Sequence, residues 1–383
     1  MIKKILITFI LMLFITFNTN NTAFAEETPS IDLSQIEDFS KKLQESEDYI
    51  PSFSINDVVD SYKETGSVGI TLKDGLASLG KFILKEVVGN SKLLVELLVL
   101  GILSSILQNI QSAFSGSGVG KIAHYACFAT ITLLIIQSFT LVVGIATNTI
   151  DKMLEFITIL IPPLIMLIAS SGQAISAATL DPIVMLIITV GTTVIKNFII
   201  PSTAFVVALN IVNSLSDEPK VQKLASLIKQ ISLWALGFIM TIFITLITIR
   251  TNTSANLDAV TLKTTKFFID NFIPLVGKSL SDAITTVVGY SLVLKDALSL
   301  IGLVVMIFIC LFPLLKIILI SLIYKFVAAV MEPVVDRKIT GCLTSIGGSL
   351  TVIFSSVLSM AIMFFIMITI ITSTGKLILT VGG

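Results

Sequence analysis

The single histidine, His124, and the three cysteines, Cys127, Cys310 and Cys342, are the residues of this chain best suited to bind a metal or attack a carbonyl. Their spacing supports neither. A zinc site needs several Cys, His or carboxylate ligands converging on one point, and the chain has no His-Glu-x-x-His and no cysteine cluster. Two of the cysteines sit inside apolar runs, where a free thiol behaves as a small buried apolar side chain. Without a second histidine or a Gly-x-Ser-x-Gly elbow, a serine-histidine hydrolase is not expected either. Gly116-Ser117-Gly118-Val119-Gly120-Lys121 and Gly277-Lys278-Ser279 imitate the end of a phosphate loop, but the first glycine of that pattern is replaced by Ser115 and Phe272 respectively. The first is read as a hairpin loop between apolar runs. No cofactor is expected, and any nucleotide hydrolysis must come from a partner.

What remains is a set of charges in apolar surroundings. Glu96, Lys196, Lys316 and Lys325 lie in or beside long hydrophobic runs. Facing lipid, each would cost about 2.5–3.5 kcal/mol on insertion scales. They are expected to face the bundle interior, water or one another. A hydrated path or an inter-subunit contact is one reading. Snorkelling near a helix end is the other, and it suits Glu96 and Lys325 best.

The elements holding these charges are apolar helices. Of 383 residues, 54% are hydrophobic and 13% charged, about half the charged share of a soluble domain at roughly 25%. Mean hydropathy is +0.99. Apolar runs occupy 93–112, 122–147, 153–171, 182–213, 230–249, 297–331 and 349–373. Lipid offers no hydrogen bonds to a backbone, so each run must be helical. The expected fold is therefore all-α: a polytopic membrane protein with about 7–9 transmembrane or re-entrant helices. Runs 182–213 and 297–331 exceed one hydrocarbon thickness and carry Lys196 with Pro201 and Pro313 with Lys316, which predicts broken helices or tight pairs. Pro162-Pro163 predicts a kink in a third.

Ahead of this body, Lys3-Lys4, the apolar run 5–17 and Ala23-Phe24-Ala25 have the form of a cleavable secretory signal over residues 1–25. Residues 26–91 hold 13 acidic residues and 6 lysines and are expected to be an exported, partly helical region, ending in an amphipathic helix at 70–88. Residues 92–383 then form the membrane domain. The mature amino terminus is expected outside the cytoplasm, and Lys220, Lys223 and Lys229 place loop 217–229 inside. Counting the runs one by one, that placement is consistent with 182–213 crossing twice. No long basic run exists, so nucleic acid is not an expected partner.

Segment 255–296 is polar for a membrane loop but patterned. Leu280, Ala283, Ile284, Val287 and Val288 share one helical face, while Lys278, Ser281, Asp282, Thr285 and Thr286 share the other. Lys278 and Asp282, four apart, can pair. Such a helix can lie on the membrane, line a channel or dock a partner. Asn271-Phe272-Ile273-Pro274 weakly echoes Asn197-Phe198-Ile199-Ile200-Pro201.

The stretch Thr261-Leu262-Lys263-Thr264-Thr265-Lys266-Phe267, then Asn271 to Gly277, then Leu280-Ser281-Asp282-Ala283, closely resembles the signature of the stage III sporulation protein AE family. Ser291 to Lys295, Phe312 to Lys316, Asn90 to Leu94 and Ala169 to Gly172 extend the resemblance over nearly the whole chain. It implies a non-enzymatic role in endospore formation, as a subunit of a secretion or feeding channel in the mother-cell membrane around the engulfed forespore. Implied partners are the bilayer, other stage III sporulation A-operon proteins including a secretion-type ATPase, and a forespore-membrane protein. The candidate conduit or partner-contact residues are Lys196, Asn197, Lys266, Asn271, Pro274, Gly277, Lys278, Asp282, Lys295 and Lys316. The competing reading is an autonomous permease for a small solute, with runs 182–213 and 297–331 forming a midplane site.

Overall fold

The computed structural model describes residues 34–46, 72–113, 118–215, 221–272 and 277–373. The signal segment 1–25 lies outside them. Every regular element among them is helical: α1 (Ser34–Ser46), α2 (Leu72–Gly89), α3 (Ser91–Ala113), α4 (Gly118–Ser170), α5 (Ala174–Val194), a π-helical turn (Ile195–Ile199), α6 (Ile200–Leu215), α7 (Gln222–Phe272), α8 (Gly277–Met331) and α9 (Arg337–Ser373). Six stretches of these helices are long and apolar enough to cross a membrane.

The core is the antiparallel hairpin of α8 and α9. Along α9, Leu343, Ile346, Leu350, Ile353, Val357, Met360, Ala361, Phe364 and Ile368 are all fully buried, a three-to-four-residue repeat that turns one continuous stripe inward. Polar contacts fix the register. Ser321 Oγ donates to the carbonyl of Gly347 at 2.8 Å near the closed end. Lys295 Nζ donates to the carbonyl of Thr372 at 3.0 Å near the open end.

Helix α4 packs antiparallel to α8, with Tyr324 Oη donating to the Leu134 carbonyl at 3.3 Å and Gly302 set against Leu160 farther down. At 53 residues it is about 80 Å long, more than twice a hydrocarbon core of about 30 Å. The runs at 122–147 and 153–171, expected as separate spans, are thus two halves of one rod. The polar stretch 148–152 does not break it because Ala146, Ile150, Met153, Ile157, Leu160 and Leu164 continue the buried stripe straight through. Pro162 and Pro163 lie inside the helix; they leave the carbonyls of Thr158 and Ile159 without their usual amide donors.

Helix α8 likewise runs unbroken through Pro313, so run 297–331 is neither a broken helix nor a pair. Run 182–213 is interrupted only by the π turn. Gly118–Lys121, expected in a loop, begin α4. These continuities change the count. Helices α2–α3, α4, α5–α6, α7, α8 and α9 traverse the bundle in alternating directions, six passes among the described residues. The α6–α7 connection and the α8–α9 turn share one end, and the α4–α5 turn lies at the other. Run 182–213 need not cross twice to put residues 221–229 on the far side from α1.

The α4–α5 turn is built by sequence. Gly172 has φ 77°; its N–H donates to Ala169 and that of Gln173 to Ile168, the paired bonds of a Schellman C-cap, which needs a left-handed residue there. Ser171, fully buried, donates to the Ile168 carbonyl and accepts from Gln173 Nε2. The Ala169-Ser170-Ser171-Gly172 motif is this turn.

Candidate functional site

Most of the candidate residues picked out in the sequence occupy three separate places. The first is the π turn. Pro201 has no N–H to offer Asn197, and its ring would collide with that carbonyl in an ideal helix. Widening the preceding turn relieves the conflict: the Ile200 N–H donates to Ile195, five residues back. The wide turn projects Lys196 toward α4, where its ammonium lies 2.6 Å from Asp151 Oδ1. Lys196 is half-buried, Asn197 is exposed, and π turns recur at functional positions. Asp151 was hidden in the sequence because residues 148–152 look like a loop.

The second place is the crossing of α2 and α8. Lys316 Nζ stands 3.3 Å from Glu86 Oε1, and the Glu86 side chain is only 11% exposed. Asn90 Nδ2 donates to the same carboxylate at 2.9 Å. One turn away, the rings of Phe82 and Phe312 meet edge to face at 4.9 Å. Helix α2 is thereby pinned to the core helix by one ion pair and one aromatic pair.

The third is the α7–α8 hairpin. Lys266 and Asn271 fall in the last two turns of α7, and Gly277, Lys278 and Asp282 in the first turns of α8. Pro274 and the proposed Lys278–Asp282 pairing lie outside the described residues and side chains. These positions form one group along the chain. Lys316 does not join them: it is 39 residues beyond Gly277 on an unbroken helix, about 58 Å away. Lys295 lies between, fully buried, with its ammonium on the carbonyl of Thr372 near the α9 terminus and 3.5 Å from Asp296. A cation there suits the negative end of the helix dipole.

One residue stands out only in the structure. Asp258 of α7, 2% exposed, accepts the backbone N–H groups of Ile175 and Ser176 at 2.9 Å each, one on each carboxylate oxygen. The N-cap Gln173 makes no side-chain cap, so a carboxylate from another helix satisfies the orphan donors of α5. Among the described residues no group of three His, Cys, Asp or Glu could hold a metal.

Six membrane-length apolar stretches among the described residues, two of them forming the buried α8–α9 hairpin, define a polytopic α-helical membrane protein. Residues 53–375 match the family model described as Stage III sporulation protein AE. The chain is 35% identical over 312 residues to Stage III sporulation protein AE of Bacillus subtilis (strain 168), covering 82% of this chain and 78% of that protein. It belongs to the stage III sporulation protein AE family, and its role is in sporulation. No solved structure matches it.

Proposed function

We propose that this protein is a membrane subunit of a sporulation-specific secretion or feeding channel between mother cell and forespore, required for forespore development after engulfment. The observation that carries this reading is the reach of the α7–α8 hairpin. Asp258 marks the level of the α4–α5 turn. Helix α7 continues for fourteen residues past it, to Phe272, about 21 Å. The tip carries the signature Asn271 to Asp282. A helical arm that continues past the level of the α4–α5 turn suits contact with another protein better than burial in lipid.

The hairpin leaves the bundle at the same end as the α4–α5 turn, and α1 packs Phe39 against Phe156 in the half of α4 that leads there. With the mature amino terminus outside the cytoplasm, the arm faces the space between the two membranes, where a forespore-membrane partner is available. The opposite end carries Lys223, Lys229, Arg337 and Lys338, in keeping with a cytoplasmic face. A secretion-type ATPase and other proteins of the same operon are the expected partners there.

The alternative, an autonomous permease, would use the π turn at Lys196 as a midplane site. Inverted-repeat permeases pair two discontinuous helices, and the second candidate, α8, is unbroken. Photo-crosslinking residues placed at Lys278 and Asp282 in sporulating cells separate the two. Specific crosslinks to another membrane protein are expected. Substrate-specific uptake into liposomes by the purified protein alone, with no such crosslinks, would establish the permease instead.

A further inference from the structure

Lys229 on α7 and Lys325 on α8 come together over a pair of adjacent glycines on α9. Lys325 packs its stem against Gly347, where a Cβ would lie 2.8 Å from its Cγ, and Lys229 rests its ammonium on Gly348, 2.5 Å from where a Cβ would be. The two charges are close enough to repel one another. Lys325 Nζ donates to Thr351 Oγ1 at 2.8 Å, whose own proton goes to the Gly347 carbonyl at 2.9 Å. Among the described residues neither lysine forms an ion pair with a carboxylate.

That sets them apart from Lys196 and Lys316, each of which has its acid. Two half-buried ammonium groups on the flank of an apolar bundle carry a desolvation cost and a mutual repulsion, and both fall when an anion bridges them. Lysines act as compact point charges with rotatable donors, which suits a phosphate more than a planar carboxylate fork. Depth points the same way. Trp234, the only tryptophan, is 71% exposed and lies five residues farther along α7 from Lys229. Tryptophan is enriched at the headgroup level of membranes, and Trp234 lies about 7.5 Å along the helix from Lys229.

We propose that Lys229 and Lys325, over the floor of Gly347 and Gly348, form a site for a phosphate group. An anionic lipid headgroup and free phosphate share that chemistry, and the two are separated by experiment. Trp234 is a built-in reporter. The full-length protein is reconstituted in phosphatidylcholine vesicles containing brominated phosphatidylglycerol or brominated phosphatidylcholine, and quenching of Trp234 gives the relative affinity of the two lipids. In a second arm, inorganic phosphate is titrated onto the protein in neutral detergent, with Trp234 emission as readout.

Phosphatidylglycerol is expected to be preferred, by roughly fivefold for each lysine that contributes. Lys229→Gln with Lys325→Gln should bring the ratio to one. Lys229→Arg with Lys325→Arg, which keeps both charges, should retain it, and Lys81→Gln, on the exposed surface of α2, should leave it unchanged. A lysine-dependent lipid preference with no lysine-dependent response to inorganic phosphate in detergent assigns the site to lipid. A lysine-dependent response in the detergent arm, without lipid preference, assigns it to soluble phosphate. Equal behaviour of wild type and the double glutamine variant in both arms would overturn the site.

Discussion

Lys196 Nζ on the π turn and Asp151 Oδ1 at the middle of α4 are 2.6 Å apart, and the contact joins two helices 45 positions apart in sequence. It is short enough to be a charge-assisted hydrogen bond. Both side chains are partly exposed, Lys196 at 30% and Asp151 at 52%, so the pair adds stability of about 1 kcal/mol or less. Its value lies in setting the π turn against α4. Lys196→Ala should therefore reduce spore formation more than it reduces protein abundance in the membrane. The exchange Asp151→Lys with Lys196→Asp should recover part of the loss. Sporulation counts with immunoblots of membrane fractions check this. Normal sporulation in Lys196→Ala would mark the pair as dispensable.

Asp258 gives a stability prediction that is independent of function. Its carboxylate takes two backbone donors at the start of α5, and hydrogen bonds to a charged group contribute about 1.5–3 kcal/mol each at most. Asp258→Asn keeps one acceptor and Asp258→Ala none, so the unfolding midpoint in detergent should fall in the order wild type, Asn, Ala. The three cysteines are free and buried, and a thiol-reactive dye reports their exposure on heating. Equal midpoints for all three proteins would show that α5 is capped by something else.

The sequence showed the helices far better than it showed where they join. Long apolar runs leave no other backbone state in lipid, so their positions could be read directly. Continuity was misjudged where polar residues concentrate on one side of a helix. Asn148, Asp151 and Lys152 look like a loop when counted as composition, yet Ile150 among them and Met153 and Phe156 just after them are fully buried. One proline misled in a similar way: Pro313 stays within a helix held in place by packing, whereas Pro201 is accompanied by a change of helical pitch. Lys196 and Lys316 were legible as candidates because an unpaired lysine is out of place in an apolar run. Their partners Asp151 and Glu86 were not, because contacts between distant helices leave no mark in local spacing. Asp258 was invisible for the same reason.

Glu86 and Lys316 predict an asymmetric pair of mutants. Glu86 is the more buried partner and also accepts from Asn90. Replacing Lys316 leaves a nearly buried carboxylate with one neutral donor, whereas replacing Glu86 leaves a lysine that can turn toward water. Lys316→Ala should thus lower thermal stability more than Glu86→Ala, by about 1 kcal/mol or more. Phe82→Ala, which removes the adjacent aromatic contact, should loosen α2 and raise its susceptibility to limited proteolysis. Midpoints for the two charge mutants in the reverse order would contradict the geometry.

The single-rod reading of α4 makes a topological prediction that two separate spans do not. If α4 crosses once, residue 170 at its end and residue 223 on α7 lie on opposite sides, because only the α5–α6 pass separates them. If runs 122–147 and 153–171 each crossed, and 182–213 turned back within the membrane, residues 170 and 223 would share a side. Ser170 and Lys223 are both exposed, and the buried native cysteines keep the labelling background low. With the protein expressed in vegetative cells, where the extracytoplasmic side of the membrane is open to the medium, Ser170→Cys should react with an impermeant maleimide added to intact cells, and Lys223→Cys only after permeabilisation. Ser279→Cys, at the base of α8, should behave like Ser170→Cys, and Lys338→Cys, at the start of α9, like Lys223→Cys. Labelling of Ser170→Cys and Lys223→Cys from the same side would rule out six alternating passes and remove the proposed placement of the α7–α8 arm between the membranes.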